Sequence, residues 1–168
     1  MALPDLLQPD LLYMLVIGPG TGETTLLRVP PDQWLIIDSF KCAKRPAAEW
    51  IVRKYGGQVA AIVLTHPHHD HFLGILELID LYPSAKLGCV HPKDSGPAGP
   101  VTPSPVTALK QGAKVTYDRV WDEWQRNDFR RWATFRGRSH NVSDATVTSL
   151  HPASPVDPAS WSDDPNEI

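Results

Sequence analysis

Apolar positions along the chain fall into short blocks whose spacing switches between strand and helix periods. Residues 11–17 form an apolar run of strand length, closed by the turn sequence Gly18-Pro19-Gly20-Thr21-Gly22. Residues 24–29 and 33–38 predict two more strands, joined through a turn at Pro30-Pro31-Asp32. From 45 to 55 the period changes: Ala48, Ile51, Val52 and Tyr55 recur at helix spacing, and Gly56-Gly57 stops the helix. Residues 59–64 are a continuous apolar run, the pattern of a strand buried on both faces. A second helix is predicted over 70–82, with Phe72, Ile75, Leu76 and Ile79 on one face and Pro83 closing it; a strand over 85–90 follows.

Beyond residue 90 the pattern weakens. Five prolines between 92 and 105 predict an irregular surface loop. Residues 106–111 read as a short helix, 113–117 as a strand, 119–136 as an amphipathic helix and 145–150 as an alternating strand. The segment 151–168 is rich in Pro, Ser and Asp. The alternation of strands and helices predicts an α/β protein of layered packing, organised as one domain over 1–168.

Composition narrows this picture in few ways. The 168 residues are 42% hydrophobic and 21% charged, enough to bury a core, and the net charge of −3 gives no general attraction to nucleic acid or anionic membrane. The N-terminus lacks the basic run of a secretory signal, and its apolar run is too short to span a bilayer, so the expected setting is soluble and cytoplasmic, with no membrane partner. Two cysteines, Cys42 and Cys89, make no disulfide framework and have no CxxC or CxxH partner.

The chemistry concentrates at residues 65–71, Thr-His-Pro-His-His-Asp-His, where four of the seven histidines fall within six residues. His66 and His68, two apart on an extended loop, turn their imidazoles to one side. Asp70 and His71 follow, and Asp70 suits the N-cap of the next helix. The loop runs from a buried strand to a helix, so rigid elements hold both of its ends. Neutral imidazole and carboxylate together suit zinc.

This H-x-H-x-D-H loop, with Gly18-Pro19-Gly20 and Leu35-Ile36-Ile37-Asp38 upstream, resembles the metallo-β-lactamase superfamily. The likeness spans residues 11–168 and is specific only in the metal loop. It implies a four-layered αββα sandwich, of which this chain carries mainly the first β–α half. It also implies a metal-dependent hydrolase with one or two divalent ions, zinc first among them. His66 and His68 then belong to one metal site, and Asp70 and His71 to the second; Asp70 is also the residue assigned to catalysis. His69 stands at a variable position and is not counted as a ligand. Asp38 has two readings: a hydrogen-bonding residue that orients a ligand, or a strand-end carboxylate capping the following turn. Leu150-His151-Pro152 and Asn166-Glu167 are most similar to the competence-type branch and its stand-alone relatives, which implies a phosphodiester or nucleic-acid substrate.

The family's second half supplies a bridging Asp and a final His, and no such segment is recognised before residue 168. His140, in Gly137-Arg138-Ser139-His140, is a candidate third ligand, with a surface role as its alternative. Without a bridging carboxylate the expected capacity is one zinc with an open position. A second function class therefore stands beside the hydrolase: a half-domain that works as a binding or assembly subunit, with a protein partner or second chain completing the fold.

The run from Gly18 to Thr25 resembles a phosphate-binding loop, but Glu23 stands where a lysine is needed, so nucleotide binding is rejected. Trp121, Trp124, Phe129, Trp132 and Phe135 interleave with arginines from Arg119 to Arg138. That pattern reads either as a nucleic-acid surface or, in preference, as an amphipathic helix packed on the domain.

Overall fold

The computed structural model describes residues 6–18, 22–42, 44–65, 69–89, 111–132 and 138–148. The strands are β1 (Tyr13–Ile17), β2 (Thr24–Val29), β3 (Gln33–Ile37), β4 (Lys41–Cys42), β5 (Arg45–Pro46), β6 (Gln58–Leu64), β7 (Lys86–Cys89), β8 (Arg131–Trp132), β9 (Ser139–Val142) and β10 (Ala145–Thr148). The helices are α1 (Ala47–Tyr55), α2 (His69–Phe72), α3 (Ile75–Leu81) and α4 (Gln111–Arg126).

Among the described residues, six strands make one sheet in the order β1-β2-β3-β6-β7-β8. β1, β2 and β3 are antiparallel neighbours, and β6, β7 and β8 continue the sheet parallel to β3. Each parallel step is made through a helix, as a crossover requires. One face of the sheet carries Leu26, Trp34, Ile36, Ile62, Leu64 and Leu87 against Ile51 and Val52 of α1, Leu78 and Ile79 of α3 and Val120 of α4. The other face carries Val29, Leu35 and Ala61 with Trp132, Val142 and Val147, so the β9–β10 hairpin lies across it. Helices cover one side and strands the other, because β6 is apolar on both faces and each must be removed from water.

The predicted strands before residue 90 are present with shifts of one or two residues at their ends. Three expectations fail. The helix predicted over 70–82 is broken into α2 and α3 at Leu73-Gly74, where Gly74 adopts φ +98°. A Cβ at Gly74 would lie 2.6 Å from Ser39 Oγ, so the break seats this turn tightly on the residue after Asp38. With that break, Asp70 lies inside the first turn of α2 instead of capping a long helix.

The strand predicted at 113–117 is helical. Thr116 and Val120, both buried, stand four apart on the face of α4 that packs toward α3 and β7. That spacing outweighs the β-preference of Val115-Thr116-Tyr117. The helix predicted over 119–136 ends at Arg126; Asn127 and Asp128 lead into a 3-10 turn, and Trp132 enters the sheet. The Pro-rich segment 92–105, the predicted helix at 106–111 except for its last residue, and the segment 149–168 lie outside the described residues.

Candidate metal centre

β3 and β6 run side by side in the same direction, so their carboxyl ends open at one edge of the sheet. In open α/β sheets this edge is where ligands bind. Asp38 follows β3 and Thr65 follows β6. Asp38 is 3% exposed and takes φ +59°, a left-handed conformation that costs a non-glycine residue about 1–3 kcal/mol. The local network offsets that strain. The Asp38 N–H donates to Val63 O at 2.7 Å, and its Oδ1 accepts the Thr65 N–H at 2.8 Å. Its Oδ2 accepts the Thr65 hydroxyl at 2.6 Å and lies 2.8 Å from His71 Nδ1. Ser39 N–H donates to His71 O at 2.8 Å, so backbone and side chain of His71 are both tied to the end of β3.

A carboxylate can only accept, so His71 Nδ1 carries the proton and donates it to Asp38. In the neutral ring the lone pair is then on Nε2, which lies 3.7 Å from Asp70 Oδ2. Two ligands at zinc–donor distances of about 2.0–2.2 Å in a tetrahedral shell stand roughly 3.4 Å apart, close to the observed separation. The donor pair fits a divalent ion. The hydrogen bond to Asp38 holds the His71 imidazole above the ordinary histidine value; burial works against this, and the charges of Asp38, Asp70 and Glu23 add to the rise.

Asp70 and His71 open into a cavity of about 420 Å³ lined also by Val16, Gly18, Gly22 and Glu23. All of these lie at the edge where β1 ends and β2 begins. Gly22 is required by close approach: a Cβ there would stand 3.0 Å from Asp70 O and 3.2 Å from Asp70 Cβ. The sequence reads Glu23 only as an obstacle to phosphate binding, and its place after the glycine turn and before β2 is the local signal for this position.

His66 and His68 lie outside the described residues, as does the side chain of His69. Among the described residues no three His, Cys, Asp or Glu side chains converge closely enough to grip an ion. His140 is on β9, its ring packed edge to face on Trp132 with 4.8 Å between the ring centres, and it is not among the residues lining the cavity. Three arginines of the aromatic–basic segment, Arg119, Arg126 and Arg130, are engaged with carboxylates. Arg119 Nη2 donates to Asp80 at 2.8 Å, and Arg130 Nη1 donates to Glu123 at 2.8 Å.

The carboxyl ends of parallel strands thus bring an Asp-His donor pair, braced by a buried carboxylate, to one edge of a layered α/β protein. The metallo-beta-lactamase superfamily model matches residues 17–147, well over half of the chain, and the chain belongs to that superfamily. No curated protein and no solved structure matches it.

Proposed function

We propose that this protein is a metal-dependent hydrolase that uses zinc, with Asp70 and His71 as ligands of one metal site and His66 and His68 as ligands of the other. The observation that carries this reading is the 3.7 Å approach of His71 Nε2 to Asp70 Oδ2, on two residues that line one cavity. A bound divalent ion supplies Lewis acidity toward the scissile bond. The chain's own residues do the rest. Asp38 keeps the proton of His71 on Nδ1, Thr65 fixes the Asp38 carboxylate, and Gly22 holds the β1–β2 edge against Asp70. Asp70, whose carboxylate reaches the cavity, is the residue placed to accept a proton there.

A phosphodiester substrate, the class suggested by the competence-type likeness, is drawn by the ion. Yet the described lining presents the Glu23 carboxylate to it and no lysine or arginine. The reading is therefore hydrolysis in general, in a cytoplasmic setting. Among the described residues no helix is long and apolar enough to cross a membrane. Purified protein should contain zinc, and a His66→Ala, His68→Ala double variant should lose most of it. Equal metal content in the two proteins ends the proposal.

One observation favours a second reading, a subunit completed by a partner. On the hairpin side of the sheet, Met14 and Val16 of β1 are 66% and 58% exposed, beside the half-buried Leu27, Ile37 and Val63. Apolar surface of this kind fits a protein contact.

A further inference from the structure

The cavity lined by Asp70 and His71 contains a second carboxylate that the hydrolase reading does not use. Glu23 is exposed, lines the same space, and is close enough for its charge to act on the His71 ring. It makes no hydrogen bond or ion pair with any described residue. Its backbone, by contrast, is fixed from both sides. Gly22 is seated on Asp70, where even a methyl group would crowd the Asp70 carbonyl. Thr24 is fully buried, and its hydroxyl accepts the Phe40 N–H at 2.7 Å. A free carboxylate on a pinned backbone is a positioned charge.

It is positioned for something other than the ion. Among the described residues, Glu23, Asp70 and His71 do not form a metal-holding group, although Asp70 and His71 lie at a ligand pair's spacing. Glu23 lines the cavity together with that pair, the apolar Val16, and Gly18 and Gly22. Such a wall attracts a cation and repels an anion.

We propose that Glu23 is the specificity residue of this cavity and that the substrate carries a positively charged group, which sits against its carboxylate while the scissile bond lies at Asp70 and His71. This rests on the hydrolase reading above for the scissile bond, and on the cavity alone for the charge. An exposed ion pair of this kind contributes roughly fivefold in binding.

The test is calorimetric binding of argininamide and of its neutral isostere citrullinamide to the zinc-loaded full chain. Argininamide should bind about fivefold more tightly. Glu23→Gln should bring the ratio close to one, and Glu23→Lys should invert it, with the zinc content of Glu23→Gln equal to that of the parent. An exposed side chain makes both variants safe for folding. Equal binding of the two compounds to the parent, binding of neither, or an unchanged ratio in Glu23→Gln overturns the proposal. So does loss of zinc in Glu23→Gln, which makes Glu23 a ligand. A chain that selects the cation through Glu23 but cleaves no ester, amide or phosphoester removes the hydrolase reading and leaves the cation site standing.

Discussion

Asp38 bears more of the site than any other described residue. One carboxylate accepts from Thr65 twice and from His71 once, and a strained backbone aims it. Removing its charge leaves His71 free to change tautomer and turn. Asp38→Asn should lower zinc affinity roughly 10–100-fold, the usual cost of losing a ligand's hydrogen-bonding partner, measured by competition with a chromogenic chelator. An unchanged affinity shows that His71 does not hold the ion. Gly74 is a residue-scale constraint of another kind. Its φ of +98° and its closeness to Ser39 Oγ both oppose a side chain. Gly74→Ala should cost about 1–3 kcal/mol in urea denaturation, and a neutral result means the α2–α3 turn is free to shift. The HxHxDH spacing made Asp70 and His71 legible in the sequence. The partnership of Asp38 with His71 was one of two readings there, since residues 33 apart reveal no contact until a parallel pairing aligns their strands.

At the scale of elements, the 3-10 turn after α4 is tied to the rest of the domain by Arg130. Its guanidinium is buried and donates to Ala85 O at 2.9 Å, to Tyr82 O at 3.3 Å and to Glu123 Oε2 at 2.8 Å. One side chain thus joins α4, the end of α3 and the start of β7. Arg130→Met leaves Glu123 to Arg119 and Asn127 and strips the carbonyls of Ala85 and Tyr82 of a charged donor, so a loss of about 1–3 kcal/mol is expected by urea denaturation. Burial pushes the Glu123 carboxyl up, but the hydrogen bonds and charges of Arg130 and Arg119 outweigh it and hold it below the usual value. A lowered carboxylate adds stability that is present above its unfolded pKa and lost as pH falls through its folded pKa. The stability gap between the parent and Glu123→Gln should therefore be widest near neutral pH and narrow in acid; a gap independent of pH would show that this pairing adds nothing. The arginines here also admit a phosphate-binding reading in the sequence, second to the packed amphipathic helix, because the carboxylate partners of Arg119, Arg126 and Arg130 on α3 and α4 are set by packing.

For the whole molecule, the sheet separates two environments. The helix side is closed, and Trp34, fully buried, donates its indole N–H to Gly56 O at 2.7 Å beneath α1. The hairpin side is only partly covered among the described residues, and its open flank is β1. A Met14→Glu, Val16→Glu variant should keep its unfolding free energy within about 0.5 kcal/mol, as exposed substitutions do. It should lose any association with a copy or a completing chain, measured by sedimentation. A large loss of stability in the isolated chain would mean that this flank is covered internally.

The sequence by itself determined the class of the protein. Strand and helix periods up to residue 90, and a metal loop between an apolar strand and an apolar helix, are local properties that neighbouring residues carry. The tertiary structure alone decided three things. It broke the second helix at Gly74, because the turn must pass Ser39 at contact distance. It made residues 113–117 helical, because their buried face meets α3 and β7. It brought Glu23 to the cavity of Asp70 and His71, because β1, β2, β3 and β6 all open at the same edge. Each depends on contacts between residues far apart in the chain, and no local pattern encodes these.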